Sequence, residues 1–244
     1  MPKNYFDDRT ARFYDRGTSD MFRPEVLDPT VEFLFDLVGT GRALEFAIGT
    51  GRVALPLHQR GVPVAGIDLS PQMVAQLRAK PGADDIDVII GDMTSTRVSG
   101  TFRVVYVVFN SIGNLLTQAE QVDCFRNAAA HLEPGGFFVV EKGVPNLEHL
   151  SPRRRLEVFT ASQDFLGFDE VTDFVGQQAV SHHYGVSNDT AKGWSVPWRW
   201  AWPSELDLMA QLAGMTLHER WSTWTRSPFT EDSTSHISVW QLAK

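Results

Sequence analysis

The chain has 244 residues, of which 43% are hydrophobic and 21% charged, the proportions of an ordinary water-soluble domain. No apolar run approaches the roughly 20 residues a bilayer span requires, which argues against a membrane protein. A net charge of −8 and a pI near 5.3 give no general attraction for polyphosphate, which argues against a nucleic-acid partner.

Strand and helix signals alternate along the chain. Asp28 and Pro29 have the character of a helix N-cap and first turn, ahead of Val31, Leu34, Phe35 and Val38 at helical spacing. The apolar run 43–48 ends in glycines and reads as a buried strand. Residues 53–59 follow as a helix and 62–67 as a second strand, and Ser70-Pro71 opens a helix carrying Met73, Val74 and Leu77. Residues 86–90 and 102–109 are predicted as the third and fourth strands. Thr117 and Glu120 form a capping box for a helix turning Val122, Phe125, Ala129 and Leu132 inward. This helix is expected to stop at Pro134-Gly135-Gly136, before a fifth strand over 137–140. Such alternation implies a doubly wound α/β fold with a parallel sheet and right-handed crossovers.

The pattern changes after Glu141. Aromatic and β-branched residues recur in short runs over 156–160, 168–174, 178–186 and 194–202, without helical period, and predict an antiparallel β insertion over 150–202, roughly 50 residues long. The basic run Arg153, Arg154 and Arg155 reads as a solvated turn. Ser204 is expected to cap a helix over 205–213, ended by Gly214, and the strands 216–224 and 236–242 then pair at one sheet edge. No linker divides the chain, so a single domain, 1–244, is expected. Its N-terminus shows no basic start followed by an apolar stretch, and the lone Cys124 fits a reducing compartment, so a cytoplasmic location is expected.

Ligands of open α/β sheets settle at the carboxyl ends of the strands, which directs attention to the loops there. Gly49 and Gly51 let the backbone approach a ligand, and Gly49-Thr50-Gly51-Arg52-Val53-Ala54 fits a relaxed dinucleotide fingerprint with Asp68 downstream, so an NAD(P)-dependent oxidoreductase is a rival reading. Glu45 disfavours it, because a carboxylate in the first βα junction faces a pyrophosphate with like charge but suits an ammonium group. Asp92 and Met93 supply an acceptor and a backbone N–H for an adenine, and Phe109-Asn110 ends the fourth strand where either side chain could touch a ligand.

With these residues in view, the sequence resembles the class I S-adenosylmethionine-dependent methyltransferases, through LEFAIGTGR, VAGIDLSPQM, IIGDM and FNSIGNLLTQAEQVDCFRNAAAHLEPGGFFVVE. The resemblance is strong over 43–141. It implies a Rossmann-like seven-stranded sheet in the order 3-2-1-4-5-7-6, with S-adenosylmethionine as cofactor. Gly49 and Gly51 would line its methionine part. Asp68, with Leu69 beside it, would take the ribose hydroxyls as a ligand contact and not a packing element, and Asp92 with Met93 would hold the adenine. Glu45 would support the glycine loop or the ligand ammonium, and Ala47 stands where the family often has glycine. Tyr5-Phe6 and Phe13-Tyr14-Asp15 look like the aromatic segment that closes over the cofactor in small-molecule members. Tyr14 would bond the methionine carboxylate, unless these aromatics simply pack the first helix onto the sheet. A weaker likeness extends to N-methyltransferases of amino sugars and amino acids. A cofactor-binding protein without catalysis is the third reading.

The acceptor is expected to be a small molecule methylated on nitrogen or oxygen. A neutral amine needs no base, whereas a hydroxyl acceptor needs His182, His183 or Tyr14 to take its proton. Adjacent strand residues face opposite ways, so at most one of His182 and His183 faces a pocket. No further His, Cys or carboxylate at ligand spacing accompanies them, so no metal is expected. Cys124 reads as a packing residue. The cluster Trp198-Arg199-Trp200-Ala201-Trp202 reads either as core or as substrate wall. Where the family members that methylate amino groups of nucleic-acid bases carry Asn-Pro-Pro-aromatic, this chain has Asn110-Ser111-Ile112-Gly113. The insertion is expected to roof the acceptor pocket, with 182–184 and 199–202 closest to substrate, and its edges invite self-association into a homodimer.

Overall fold

The central strands are apolar on both faces, which requires helices on each side of the sheet they form. The computed structural model describes residues 4–146, 155–187 and 190–244. Helix α1 (Asp8–Gly17) leads to α2 (Pro24–Val38), β1 (Ala43–Phe46), α3 (Ala54–Gln59), β2 (Val64–Asp68), α4 (Pro71–Arg78), β3 (Asp87–Ile90) and β4 (Phe102–Val107). After a short 3-10 turn at Ser111–Asn114 come α5 (Gln118–Ala129) and β5 (Leu132–Gly143). The insertion supplies β6 (Leu156–Ala161), β7 (Phe165–Asp173), β8 (Gln178–Ser187) and β9 (Thr190–Arg199). Helix α6 (Pro203–Leu212), β10 (Met215–Trp221) and β11 (Ser235–Leu242) close the fold.

The main sheet has seven strands in the order β10-β11-β5-β4-β1-β2-β3, which is the predicted order once the insertion strands are set apart. β1 to β5 run parallel, and β11 lies antiparallel between β5 and β10. Alternation along the strands separates two cores. Ala43, Val104, Tyr106 and Val139 pack with Val31, Leu34 and Val38 of α2. Leu44, Phe46, Val105 and Phe138 pack with Phe125 of α5 and Leu206 of α6. Cys124 is buried in this second core, and burial pushes its thiol pKa far up, as suits a packing residue. No helix of the described residues is long and apolar enough to cross a membrane.

Three local expectations need correction. α2 begins at Pro24, four residues before Asp28, and Pro29 lies inside it; burial of Leu27 holds the extra turn, although Pro29 can donate no helical hydrogen bond. Ser204 is not a cap, because Pro203 already occupies the first helical position, which its fixed φ favours, and Trp202 stands at the N-cap. Pro134-Gly135-Gly136 does not precede β5 but lies within it, where the register against β4 shifts between Phe102 and Val104. The Thr117–Glu120 capping box forms as expected, with both of its hydrogen bonds.

The insertion is a separate four-stranded antiparallel meander, β6-β7-β8-β9. Arg199 clips it to the main body: its guanidinium donates to Gln121 Oε1 of α5 at 2.6 Å and to Glu205 Oε1 of α6 at 2.6 Å, and Gln177 Oε1 accepts from it at 2.7 Å. Gln178 Nε2 adds a bond to the Leu116 carbonyl at 3.0 Å. Arg153 and Arg154 lie outside the described residues. Arg155 is not merely a solvated turn residue, since its guanidinium lies over the Phe174 ring.

Candidate active site

The loop between β1 and α3 turns three times through the left-handed region, at Ala47 (φ 55°), Gly49 (φ 57°) and Gly51 (φ 77°). The structure explains each differently. At Gly51 a Cβ would lie 2.3 Å from Leu77 Cδ1, so α4 behind the loop demands the glycine. At Gly49 a Cβ would come no nearer than 3.3 Å to any other side chain, that of Met73, and the N–H there donates to Asp68 Oδ2 at 2.7 Å. Ala47 adopts this conformation at a cost that a glycine there would avoid.

Asp68 ends β2, and its second oxygen accepts the Ser70 N–H at 2.7 Å. It therefore ties two loops together, contrary to the expectation of a pure ligand contact, and burial raises its pKa. Behind the loop, Glu45 is 3% exposed and accepts from the Tyr106 hydroxyl at 3.0 Å. Burial pushes Glu45 up to about 8, and the charge of Arg52 opposes that rise. Of its two expected roles, this geometry suits support of the loop. Leu69 is half-buried between Asp68 and Ser70. After β3, Asp92 Oδ1 accepts the Thr94 N–H at 2.9 Å, while Met93 is buried with its carbonyl bonded by Asn127 Nδ2 at 2.8 Å.

The N-terminal segment lies across these loops. Asp15 accepts from the Thr50 hydroxyl and pairs with Lys80, and the Phe6 carbonyl accepts from Ser70 Oγ at 2.6 Å. Tyr14 packs edge-on to Phe6 with 6.1 Å between centroids, within electrostatic reach of Arg52, Asp68 and Glu45. Burial pushes its hydroxyl up to about 12, so at neutral pH Tyr14 carries its proton and can donate a hydrogen bond.

At the end of β4, Phe109 (φ 54°) and Asn110 (φ 62°) are consecutive left-handed residues, a strained turn held from β5. Glu141 Oε2 accepts the Phe109 N–H at 2.7 Å, and Asn110 Oδ1 accepts the Gly143 N–H at 2.6 Å. Arg52 lies 5.2 Å over the Phe109 ring.

From this turn a cavity of about 1930 Å³ extends under the insertion, lined by Tyr14, Asn110, Lys142, Asp169, His183 and Trp198 among others. Of the predicted base candidates, His183 faces it, stacked on Trp194 with centroids 4.9 Å apart and its pKa lowered by burial. His182 is on the other face of β8, stacked on Phe168, with Nδ1 2.9 Å from Ser195 Oγ and Nε2 3.2 Å from Glu170. Tyr184 stacks on Phe168 as well. The alternation of the strand thus removes His182 and Tyr184 from the expected roof contacts. Trp200 lines the cavity, whereas Arg199 is spent on docking the sheet. Sequence reasoning missed Arg52, Lys142 and Asp169. The signal for Lys142 was a charged Glu-Lys pair directly after the apolar run 137–140.

A methyltransferase domain family model matches residues 43–136. Among solved structures, the CcbJ methyltransferase from Streptomyces caelestis is similar over 100% of both chains, with 31% identity and a TM-score of 0.89. The cypemycin N-terminal methyltransferase of a Streptomyces species is 24% identical over 241 residues, covering 90% of this chain and 98% of its own length. The S-adenosylmethionine-bound amino pentose methyltransferase CalS10 from Micromonospora echinaspora shares the fold, with 20% identity, 99% coverage of both chains and a TM-score of 0.68.

Proposed function

We infer the chemistry from one premise: the chain belongs to the S-adenosylmethionine-dependent methyltransferase family. The cofactor, when bound, supplies an electrophilic methyl group on a sulfonium. The donor set fits it, since a buried carboxylate at Asp68, a half-buried one at Asp92, the turn at Gly49 and the Tyr14 donor converge on the carboxyl ends of β1 to β3. In this reading Asp68 and Leu69 hold the ribose, Asp92 and Met93 the adenine, and Gly49 and Tyr14 the methionine end. Gly51, Ala47 and Glu45 shape the loop, and Phe109 and Asn110 stand between cofactor and acceptor.

The acceptor, we propose, is a small-molecule amine bound in the cavity beneath the insertion. The observation that carries this reading is the lining of the cavity, which brings the Asp169 carboxylate together with the indole rings of Trp194 and Trp198. A hydroxyl acceptor needs a base at the point of transfer, a part that falls to the cavity-facing His183, while an unprotonated amine needs only alignment and exclusion of water. Asp169 and the faces of Trp194 and Trp198 suit an amine-bearing molecule. Two relatives point the same way, the cypemycin N-terminal methyltransferase and the amino pentose methyltransferase.

Thermal shift with S-adenosylmethionine, S-adenosylhomocysteine and NAD tests the cofactor, because only ligands of the native state raise the melting temperature. Stabilisation by NAD alone would restore the oxidoreductase reading. With methyl-labelled cofactor, small primary amines should become labelled and their N-acetyl counterparts should not. Label found solely on hydroxyl acceptors would overturn the nitrogen assignment.

A further inference from the structure

Lys142, the penultimate residue of β5, is 3% exposed and lines the acceptor cavity. Among the described residues, its ammonium has an aromatic ring for a partner and not an oxygen: Nζ lies 5.2 Å from the centroid of Trp198. Opposite, a Cβ on Gly113 would come within 2.7 Å of Nζ, so the glycine in the turn after β4 keeps room beside the ammonium. Three further groups face it. Asp169 on β7 favours its charge, Arg199 on β9 opposes it, and His236 stands across from it in register on β11. Arg199 is already neutralised by Glu205 at 2.6 Å, and the Asp169 carboxylate is engaged by the Ser181 hydroxyl. A cation withdrawn this far from bulk water is costly unless an anion meets it.

We propose that Lys142 receives a carboxylate of the acceptor, so that the molecule methylated here carries an anionic oxygen group as well as its amine. The inference rests on the reading of the cavity as the acceptor pocket. A single ammonium, offset in part by Asp169, matches one negative charge, not a phosphate dianion, which calls for several converging donors. Trp198 and Gly113 then act as the walls that hold carboxylate and ammonium together. Burial brings Lys142 down to about 8, so the anchor weakens as the pH rises above that value.

Benzoate and benzamide have the same shape and differ in charge, and calorimetric titration of both into protein saturated with S-adenosylhomocysteine tests the anchor. Wild type should prefer benzoate by about tenfold or more, as expected of a charge-assisted hydrogen bond. Lys142→Met should bring the preference within about twofold, and Lys142→Arg should keep part of it. Lys142→Met removes a buried charge and is expected to fold, which its melting curve checks; Lys142→Gln repeats the comparison if it does not. Equal binding of the two probes to wild type, binding of neither, or an undiminished preference in Lys142→Met would overturn the proposal. Failure of S-adenosylhomocysteine to bind would instead strike the methyl-transfer reading, and the probe comparison on the free protein would still judge Lys142.

Discussion

The carboxylate of Asp68 and the amide of Gly49 are joined by a 2.7 Å hydrogen bond that fixes the β2 end against the β1 loop. Its other oxygen holds the Ser70 amide, so the residue that would grip the ribose also sets the shape of the loop beneath it. Asp68→Ala should therefore lose cofactor binding and also about 2–4 kcal/mol of stability, since two buried N–H groups lose their acceptor. Urea unfolding with and without S-adenosylhomocysteine measures both. A variant as stable as wild type would show that the bridge contributes nothing to the fold.

Ala47 sits at φ 55°, where glycine carries no Cβ penalty. The left-handed conformation costs alanine roughly 1–2 kcal/mol, and glycine returns about 0.5–1 kcal/mol of that as unfolded-chain entropy. Ala47→Gly should thus stabilise the protein by about 0.5–1 kcal/mol and raise its melting temperature by about 1–4 °C. A drop in melting temperature would mean that the methyl group packs to more effect than the strain costs.

Arg199 holds the insertion through Glu205, Gln121 and Gln177 from a nearly buried position. Replacing it by Ala leaves Glu205 partly buried without its counter-charge, at a cost of about 3–5 kcal/mol. Arg199→Ala should also make the insertion more susceptible to limited proteolysis than the main sheet. Uniform protease resistance with an unchanged melting temperature would show that the sheet is held by other contacts.

His236 is buried on β11, and desolvation takes its pKa from 6.5 down to about 3. The unfolded chain therefore binds a proton that the folded chain refuses over that interval. Its contribution is fully present above pH 6.5 and is lost as the pH falls from 6.5 towards 3, on the order of a few kcal/mol in all. Glu45, raised to about 8, works in the opposite sense between 4.5 and 8 and is common to wild type and variant. Melting curves of His236→Gln should decline less steeply than wild type below pH 6.5. Parallel pH profiles would show that His236 is not the titrating group.

Much of the fold was legible because it is written in local signals. Runs of buried β-branched and aromatic residues marked the central strands, and Thr117 with Glu120 marked the start of α5, because these patterns depend on neighbours a few residues away. The glycine loop and the acids after β2 and β3 were visible for the same reason, being fixed by chain position at strand ends. Strand periodicity also established that His182 and His183 must part company. Only the tertiary structure decided which of them faces the cavity, since that depends on which face of the insertion turns towards the main sheet, and Arg199 sets it through partners on α5 and α6. It likewise decided that Lys142 is buried against Trp198, 56 positions away in the chain, and that Gly51 answers to Leu77 of α4. Such contacts join residues remote in sequence, and packing alone chooses between faces that the local pattern leaves equivalent.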